Sequence, residues 1–505
     1  MIINTVTFTL YMVILIFIGI FFYKKTSSLP DYFLGGRRLN APVAALSAHA
    51  SDMSGWLILS FTGAVYAYGM GQIWIAAGLA LGTIFNWSFV AKRLRRYTIM
   101  AGSSITIPEF FENRFGDSSH LLRFVSAIFI MIFFTVYTAS GFVACGILFS
   151  AVFGIDYHIA MLIGAAVILV YTFLGGFRAV SLTDFIHDLI FLAAIIGVPV
   201  IMLRLAGGFA GLAHNTGPGF FNVMLNETGK PLSAAAVVSG LSWGLGYFGM
   251  PHILVRFMAV KSEKAILPAA VISSLAIVIS LGFAALAGAA GAAFIPGIDM
   301  PEYMFITAIR KIFMNGSLFL AIPGSIFLCG VLAAIMSTAD SQIMVTASAL
   351  SNDMYRGLVR TEHSDKYFLR FSRISVAVIA FIAYIIATNR ESSIMSLTSI
   401  AWSGFGSCFG ALMLLSLYWK RTNLPGAAAG IISGGFAVMV WEYMICIPGA
   451  SGWTTLREAT GLYSLAPAFV ISLVCIITVS LATKEPQREV TEKFEQAASP
   501  PIFEE

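Results

Sequence analysis

Apolar runs of about twenty residues recur along nearly the whole chain, and each is long enough to cross a ~30 Å hydrocarbon core as a helix. No other feature constrains the fold as strongly. Inside lipid a backbone must satisfy its own polar groups, which leaves only helices or a closed barrel. Strand-like alternation is absent, so helices follow. The 505 residues are 58% hydrophobic and 11% charged, with a mean hydropathy of +0.87, values that exclude a soluble globular domain of this length.

Thirteen spans are expected, the first centred at Ile14 and the last at Ile471. An odd number puts the termini on opposite sides. With the N-terminus outside, only Arg204, Lys230, Arg310, Lys311, Arg390 and Arg457 of the 30 Lys and Arg residues fall outside, the orientation that the positive-inside rule favours. The net charge of +5 therefore reports topology and gives nucleic-acid binding no support. The run after Met1 lacks a basic leader and a small-residue cleavage site, so it reads as a retained first span. Cys145, Cys329, Cys408, Cys446 and Cys475 lie in or beside apolar spans without metal-ligand spacing and read as small buried hydrophobes.

Two of these spans are interrupted. One carries an aspartate at Ser51-Asp52-Met53-Ser54-Gly55-Trp56; the other is broken at Trp243-Gly244-Leu245-Gly246-Tyr247-Phe248-Gly249-Met250-Pro251. A carboxylate at bilayer depth costs at least ~2.5–3.5 kcal/mol on insertion scales, so it is kept mainly where it faces a cavity, a partner or an ion. Broken spans at matching positions in two halves of a membrane protein mark a transport site at the midplane. Spans two to six and seven to eleven form two groups of five, each opening on a broken helix, and the odd number inverts the second group. The expected division is 1–40 for the first span and its inner loop, 41–205 for the first repeat and 206–420 for the second repeat with the loop before it. Two peripheral spans fill 421–483, and 484–505 is a short, largely disordered cytoplasmic tail. Glu442, near the outer end of span twelve, reads as a snorkelling side chain.

A sodium ion needs hard oxygen ligands, which an unwound helix supplies as carbonyls and Ser or Thr as hydroxyls. The carbonyls of Ala50 and Met53 flank Ser51 and Asp52, while span nine offers Ser337, Thr338, Asp340 and Ser341 within about two turns. Ser337 and Ser341 share a face at i,i+4. In span seven Trp243 and Tyr247 are also i,i+4, two aromatic faces able to bracket a small apolar ligand. Pro251 lacks the amide that would bond the Tyr247 carbonyl, and Tyr137 brings a hydroxyl to similar depth. Asp184, opening span six, is either an ion-exit ligand or a carboxylate stabilised by the helix dipole. His49, one turn before Asp52, reads as a neutral cavity-lining imidazole. Gly240-Leu241-Ser242-Trp243-Gly244 matches G-x-S-x-G, but that motif works on a strand-turn-helix above a sheet. No H-E-x-x-H, Walker A or Cys/His cluster supports an enzyme or an ATP-driven pump.

These segments, together with Asp31-Tyr32-Phe33-Leu34-Gly35-Gly36-Arg37, Tyr171-Thr172-Phe173-Leu174-Gly175-Gly176-Phe177 and Met336-Ser337-Thr338, resemble the solute:sodium symporter family over about four fifths of the chain. The resemblance implies an all-α integral membrane protein with a LeuT-type core of two inverted five-helix repeats, in which sodium drives a solute inward across a bacterial cytoplasmic membrane. It implies a sodium site formed by the carbonyls of Ala50, Met53 and Ala334 with the hydroxyls of Ser337 and Thr338, supported by Asp52. It also implies a pocket of Tyr137, Trp243, Tyr247 and Pro251, which matches the branch that carries L-proline. Another small solute (a different amino acid, a carboxylate or a sugar) is the alternative, and a solute sensor or a passive sodium channel stands further off. Asp184, Asp340 and Ser341 resemble the place where some members hold another cation. His49, Leu182 and His187 depart from the pattern.

Overall fold

The computed structural model describes residues 2–23, 29–226, 228–314, 318–356, 365–389, 393–449 and 452–498. Among them, ten helices are long and apolar enough to cross a membrane, from Ile2–Phe21 to Leu465–Ala482. Three shorter apolar segments, Trp56–Tyr68, Tyr157–Val170 and Ala234–Phe248, lie where spans two, five and seven are expected. Arg390 and the side chain of Cys446 lie outside what the structure describes.

The first break falls within the expected segment. Helix Ala41–Asp52 starts on Asn40, whose side chain accepts the Val43 amide, and ends where Met53 leaves helical geometry at φ −81°, ψ 75°. The Ser54 amide turns back to the Asp52 carbonyl at 3.0 Å, and the Trp56 indole donates to the same carbonyl at 3.0 Å. Helical structure resumes at Trp56–Phe61 and Thr62–Tyr68. The second break has the same design. Helix Ala234–Ser242 tightens into a 3-10 turn at Trp243–Phe248, opens at Met250 (φ −74°, ψ 106°), and restarts as Pro251–Ala259 with proline in its first turn, where a missing amide costs nothing. Leu39 ties the half-helices Ala41–Asp52 and Pro251–Ala259 together: its amide donates to Ala259 at 3.1 Å and its carbonyl accepts from Lys261 at 2.9 Å.

The break in span seven sits hard against its neighbours. A Cβ on Gly244 would strike the Gly78 carbonyl, and one on Gly246 the Trp402 indole, so only glycine permits this approach. Spans five and six meet at Gly176, whose φ of 65° interrupts helix Tyr157–Leu205 and suits a residue without a side chain. Span nine, Leu318–Ser348, lies against that paired element and against Leu121–Phe153, which places its hydroxyl run at the centre of the bundle.

One expectation needs correction. The tail is not wholly disordered: Arg488–Ala498 is a helix whose Val490, Phe494 and Ala497 are buried. These lie at i, i+4 and i+7, an apolar stripe. Phe494 packs edge-on to Tyr97 at 6.4 Å, and the polar face carries the i,i+4 pairs Arg488–Glu492 and Lys493–Glu489 at 2.7 Å each. Beside the helices, the described residues include a short antiparallel hairpin, Ile445–Gly449 with Gly452–Thr455. Next to it Glu442 pairs with Arg457 at 2.6 Å rather than simply snorkelling. Cys145, Cys329 and Cys408 are buried free thiols.

Candidate functional site

The break in span two and the hydroxyl run of span nine come together. Ser337 Oγ lies 2.8 Å from the Ala50 carbonyl and 3.2 Å from that of Ala334. Thr338 Oγ1 lies 3.3 Å from each of the same two oxygens. All four residues are buried, as is Met53 at the break itself. Two carbonyls and two hydroxyls from two spans thus converge on one point. They form an oxygen-only donor set of the kind an alkali cation takes. Among the described residues no group of three or more His, Cys, Asp or Glu could hold a metal ion.

Asp52 points the other way, into span seven. Its Oδ2 accepts the Tyr247 hydroxyl, while Oδ1 is buried without a hydrogen-bond partner. The carboxylate therefore connects the cation side of the break to the aromatic side. The Tyr247 carbonyl, released by Pro251, has a partner that sequence reasoning did not supply: Asn86 Nδ2 donates to it at 2.9 Å. Tyr137 is 1% exposed, and its hydroxyl lies within electrostatic reach of Asp52 and in marginal contact with the Ser54 side chain, without a well-formed hydrogen bond.

Trp243 is stacked in a column of rings. Its centroid is 5.9 Å from Trp56, 6.3 Å from Trp402 and 5.1 Å from Tyr463, with interplanar angles of 21–28°. Trp402 Nε1 donates to the Trp243 carbonyl at 2.7 Å, and Trp402 meets Tyr247 edge-on at 5.2 Å. A cavity of about 840 Å³, lined by Trp243, Tyr463, Ser239, Ser399, Glu442 and Arg457, reaches this column. Beyond Pro251, towards the opposite end of the bundle, the cavity shared by Pro251, Arg256, Ser341, Thr106 and Asp353 holds only about 20 Å³, room for roughly one water. There Asp353 Oδ1 accepts Thr106 Oγ1 at 2.7 Å and pairs with Arg123 at 3.1 Å. Arg37 donates to the carbonyls of Met258 and Ser104 at 2.9 and 2.8 Å. The site is open on one side and sealed on the other.

Asp184, Ser341 and Asp340 also come together, but around a guanidinium. Arg256 Nη2 is 2.9 Å from Asp184 Oδ2 and 2.6 Å from Ser341 Oγ, Nε is 3.1 Å from Ser47 Oγ, and Nη1 is 2.5 Å from the His252 carbonyl. Ser47 Oγ donates to Asp184 Oδ2 at 2.8 Å, and Ser341 Oγ to Asp340 Oδ1 at 3.2 Å. By charge sorting alone, Arg256 is only one of the Lys and Arg residues expected on the inner side. Its place in Pro251-His252-Ile253-Leu254-Val255-Arg256, one turn inside an apolar run, was itself the signal. His49 does line a cavity, with Asp52, Asn86 and Tyr247. It is also bonded at both nitrogens, to Asp188 Oδ1 at 2.6 Å and Ser280 Oγ at 3.0 Å. Asp188 stands in the same segment as Asp184 and was passed over. His187 is buried with its ring 5.9 Å from Tyr11.

Broken half-helices meeting at mid-bundle, with an oxygen cage on one side and an aromatic column on the other, define a multi-pass transporter of the discontinuous-helix class. The sodium:solute symporter family matches residues 32–434. The osmoregulated proline transporter OpuE of Bacillus subtilis is 42% identical over 95% of this chain and 94% of its own. The high-affinity proline transporter PutP of the same organism is 42% identical over 95% and 98%, and a Staphylococcus aureus sodium/proline symporter 41% identical over 94% and 92%. Among solved structures, a substrate-bound, outward-open Na+-coupled sialic acid symporter superposes with a TM-score of 0.77 at 17% identity, covering 96% of this chain and 99% of that one. MhsT in complex with L-phenylalanine gives 0.54 at 14% identity, covering 88% and 99%. This chain belongs to the sodium:solute symporter family, with the LeuT fold and sodium as its coupling ion.

Proposed function

We propose that this protein imports L-proline with sodium by alternating access, in a bacterial cytoplasmic membrane, with its N-terminus outside and its C-terminus inside. The observation that carries the reading is the convergence of Ser337 and Thr338 on the Ala50 and Ala334 carbonyls. This convergence lies two residues from the Asp52 carboxylate that holds Tyr247. The cage takes the sodium ion, with Met53 contributing its carbonyl, and Tyr137, Trp243, Tyr247 and Pro251 take the solute. Because the cage spans two elements, an ion bound there favours whichever state holds spans two and nine together. That state also presents Asp52 to the solute pocket, and this shared dependence couples the two ligands. Arg256 fills the space among Asp184, Ser341 and Ser47, so those groups organise the inner half-helices in this state.

A potential of ~100 mV contributes ~2.3 kcal/mol per charge and a tenfold sodium gradient ~1.4 kcal/mol. One sodium could thus sustain roughly a several-hundred-fold solute gradient. The test is uptake of labelled L-proline into proteoliposomes under an inward sodium gradient, with potassium as control, in wild type and Asp52→Ala. Sodium-dependent accumulation lost in the variant supports the reading. Accumulation without sodium, or none with it, sinks it.

A further inference from the structure

Four buried polar atoms in the middle of the bundle lack a well-formed hydrogen bond: Asp52 Oδ1, the Tyr137 hydroxyl, which comes no nearer than a marginal contact with Ser54, and the ring nitrogens of His252, one of which comes no nearer than a marginal contact with the Ser51 backbone. His252 is 0% exposed and Tyr137 1%. Their rings stand 6.5 Å apart at 77°, with Phe134 closing the other side of the imidazole at 5.4 Å and the Ser51 backbone facing it. Tyr137 in turn faces Asp52 and Ser54. Buried polar groups are rarely left in this state unless something completes them. Here they adjoin Pro251 and Tyr247, in the pocket proposed for the solute.

The unsatisfied atoms are complementary in kind to a zwitterion. Asp52 Oδ1 only accepts when ionised, as an ammonium group requires. The Tyr137 O–H and an imidazole N–H donate, as a carboxylate requires. The half-helices add the same polarity: Ala41–Asp52 ends at Asp52 with its negative end, and Pro251–Ala259 begins beside His252 with its positive end. We propose that His252, together with Tyr137, binds the carboxylate of the transported solute and so is a specificity-determining residue for α-amino acids. Sequence reasoning had not singled it out. The proposal rests on the amino-acid reading of the preceding section and goes beyond it in assigning the residue that recognises the acid group.

The test compares L-proline with L-prolinamide, which keeps the ring and the amine but lacks the anion, in proteoliposomes holding wild type, His252→Phe and His252→Asn. Losing a hydrogen bond to a charged group should raise the half-saturating proline concentration at least about tenfold in His252→Phe. Inhibition by prolinamide should stay unchanged, so discrimination between the two collapses, and His252→Asn, which keeps a donor, should fall between. Sodium-induced change in tryptophan fluorescence without solute should persist in all three, showing that the cage still forms. Proline half-saturation within about twofold of wild type overturns the assignment, as does loss of proline and prolinamide by the same factor. Should His252→Phe fail to fold, His252→Asn decides, since a purely structural histidine predicts equal effects on both solutes. Wild type that responds to sodium but takes up no proline refutes the proline reading alone. A panel of amino acids and their amides, scored by competition on the fluorescence signal, then judges His252: no preference for any free carboxylate overturns it as well.

Discussion

Replacing Arg256 by methionine should separate a structural role for Asp184 from an ionic one. Arg256 and Asp184 are 1% and 0% exposed at the side chain and paired at 2.9 Å. Arg256→Met deletes that pair, the bonds to Ser341, Ser47 and the His252 carbonyl, and a contact over the Phe177 ring at 5.3 Å. Asp184 would then keep only the Ser47 hydroxyl. A buried charge stripped of its partner costs about 3–5 kcal/mol. Asp184→Asn should cost less, about 1–3 kcal/mol, because the guanidinium keeps three oxygen acceptors. In the double variant neither charge of this pair is left buried without its partner, so its cost should fall short of the summed single costs by about 2 kcal/mol or more. The assay is denaturant unfolding of the purified protein in mixed micelles, read alongside sodium half-saturation by tryptophan fluorescence. Single costs that simply add would refute the pairing argument. A large loss of sodium affinity in Asp184→Asn, with stability unchanged, would show that the carboxylate serves the ion and not the guanidinium.

Three further outcomes are expected. Ser337→Ala and Thr338→Ala should each raise half-saturating sodium about tenfold with little change in solute half-saturation at saturating sodium; flux assays across a sodium series check this. Trp243→Ala loses three stacked rings, each worth about 0.5–1.5 kcal/mol, and should lower the unfolding free energy by about 1.5–4.5 kcal/mol. Trp243→Phe should keep most of it, and denaturant unfolding in mixed micelles distinguishes the two. Burial pushes Glu302 above its ordinary value of 4.5, partly offset by its bond from Ser60. A raised acid makes the native state hold its proton longer, so this contribution is greatest below about pH 4.5 and is lost as pH rises through the folded value. Thermal midpoints measured from pH 4 to 8 should show that slope in wild type and lose it in Glu302→Gln.

Local chemistry made much of the molecule readable in advance. Apolar run length sets span number, because lipid forbids an unpaired backbone. Asp52 and the glycine-proline run after Trp243 mark the breaks, because a carboxylate and freed carbonyls at that depth need partners. The tail helix escaped notice because its composition is polar and its stripe is only Val490, Phe494 and Ala497; what orders it is the surface presented by Tyr97, Arg114 and Arg96. Partnership was the level that linear reading did not reach. Arg256 with Asp184, His49 with Asp188, Asn86 with the Tyr247 carbonyl and Trp402 with Trp243 are separated by 72, 139, 161 and 159 residues. Burial makes each group need a partner, and that need is visible in sequence. Which partner it meets depends on how separate helices pack, and only the tertiary structure decided it.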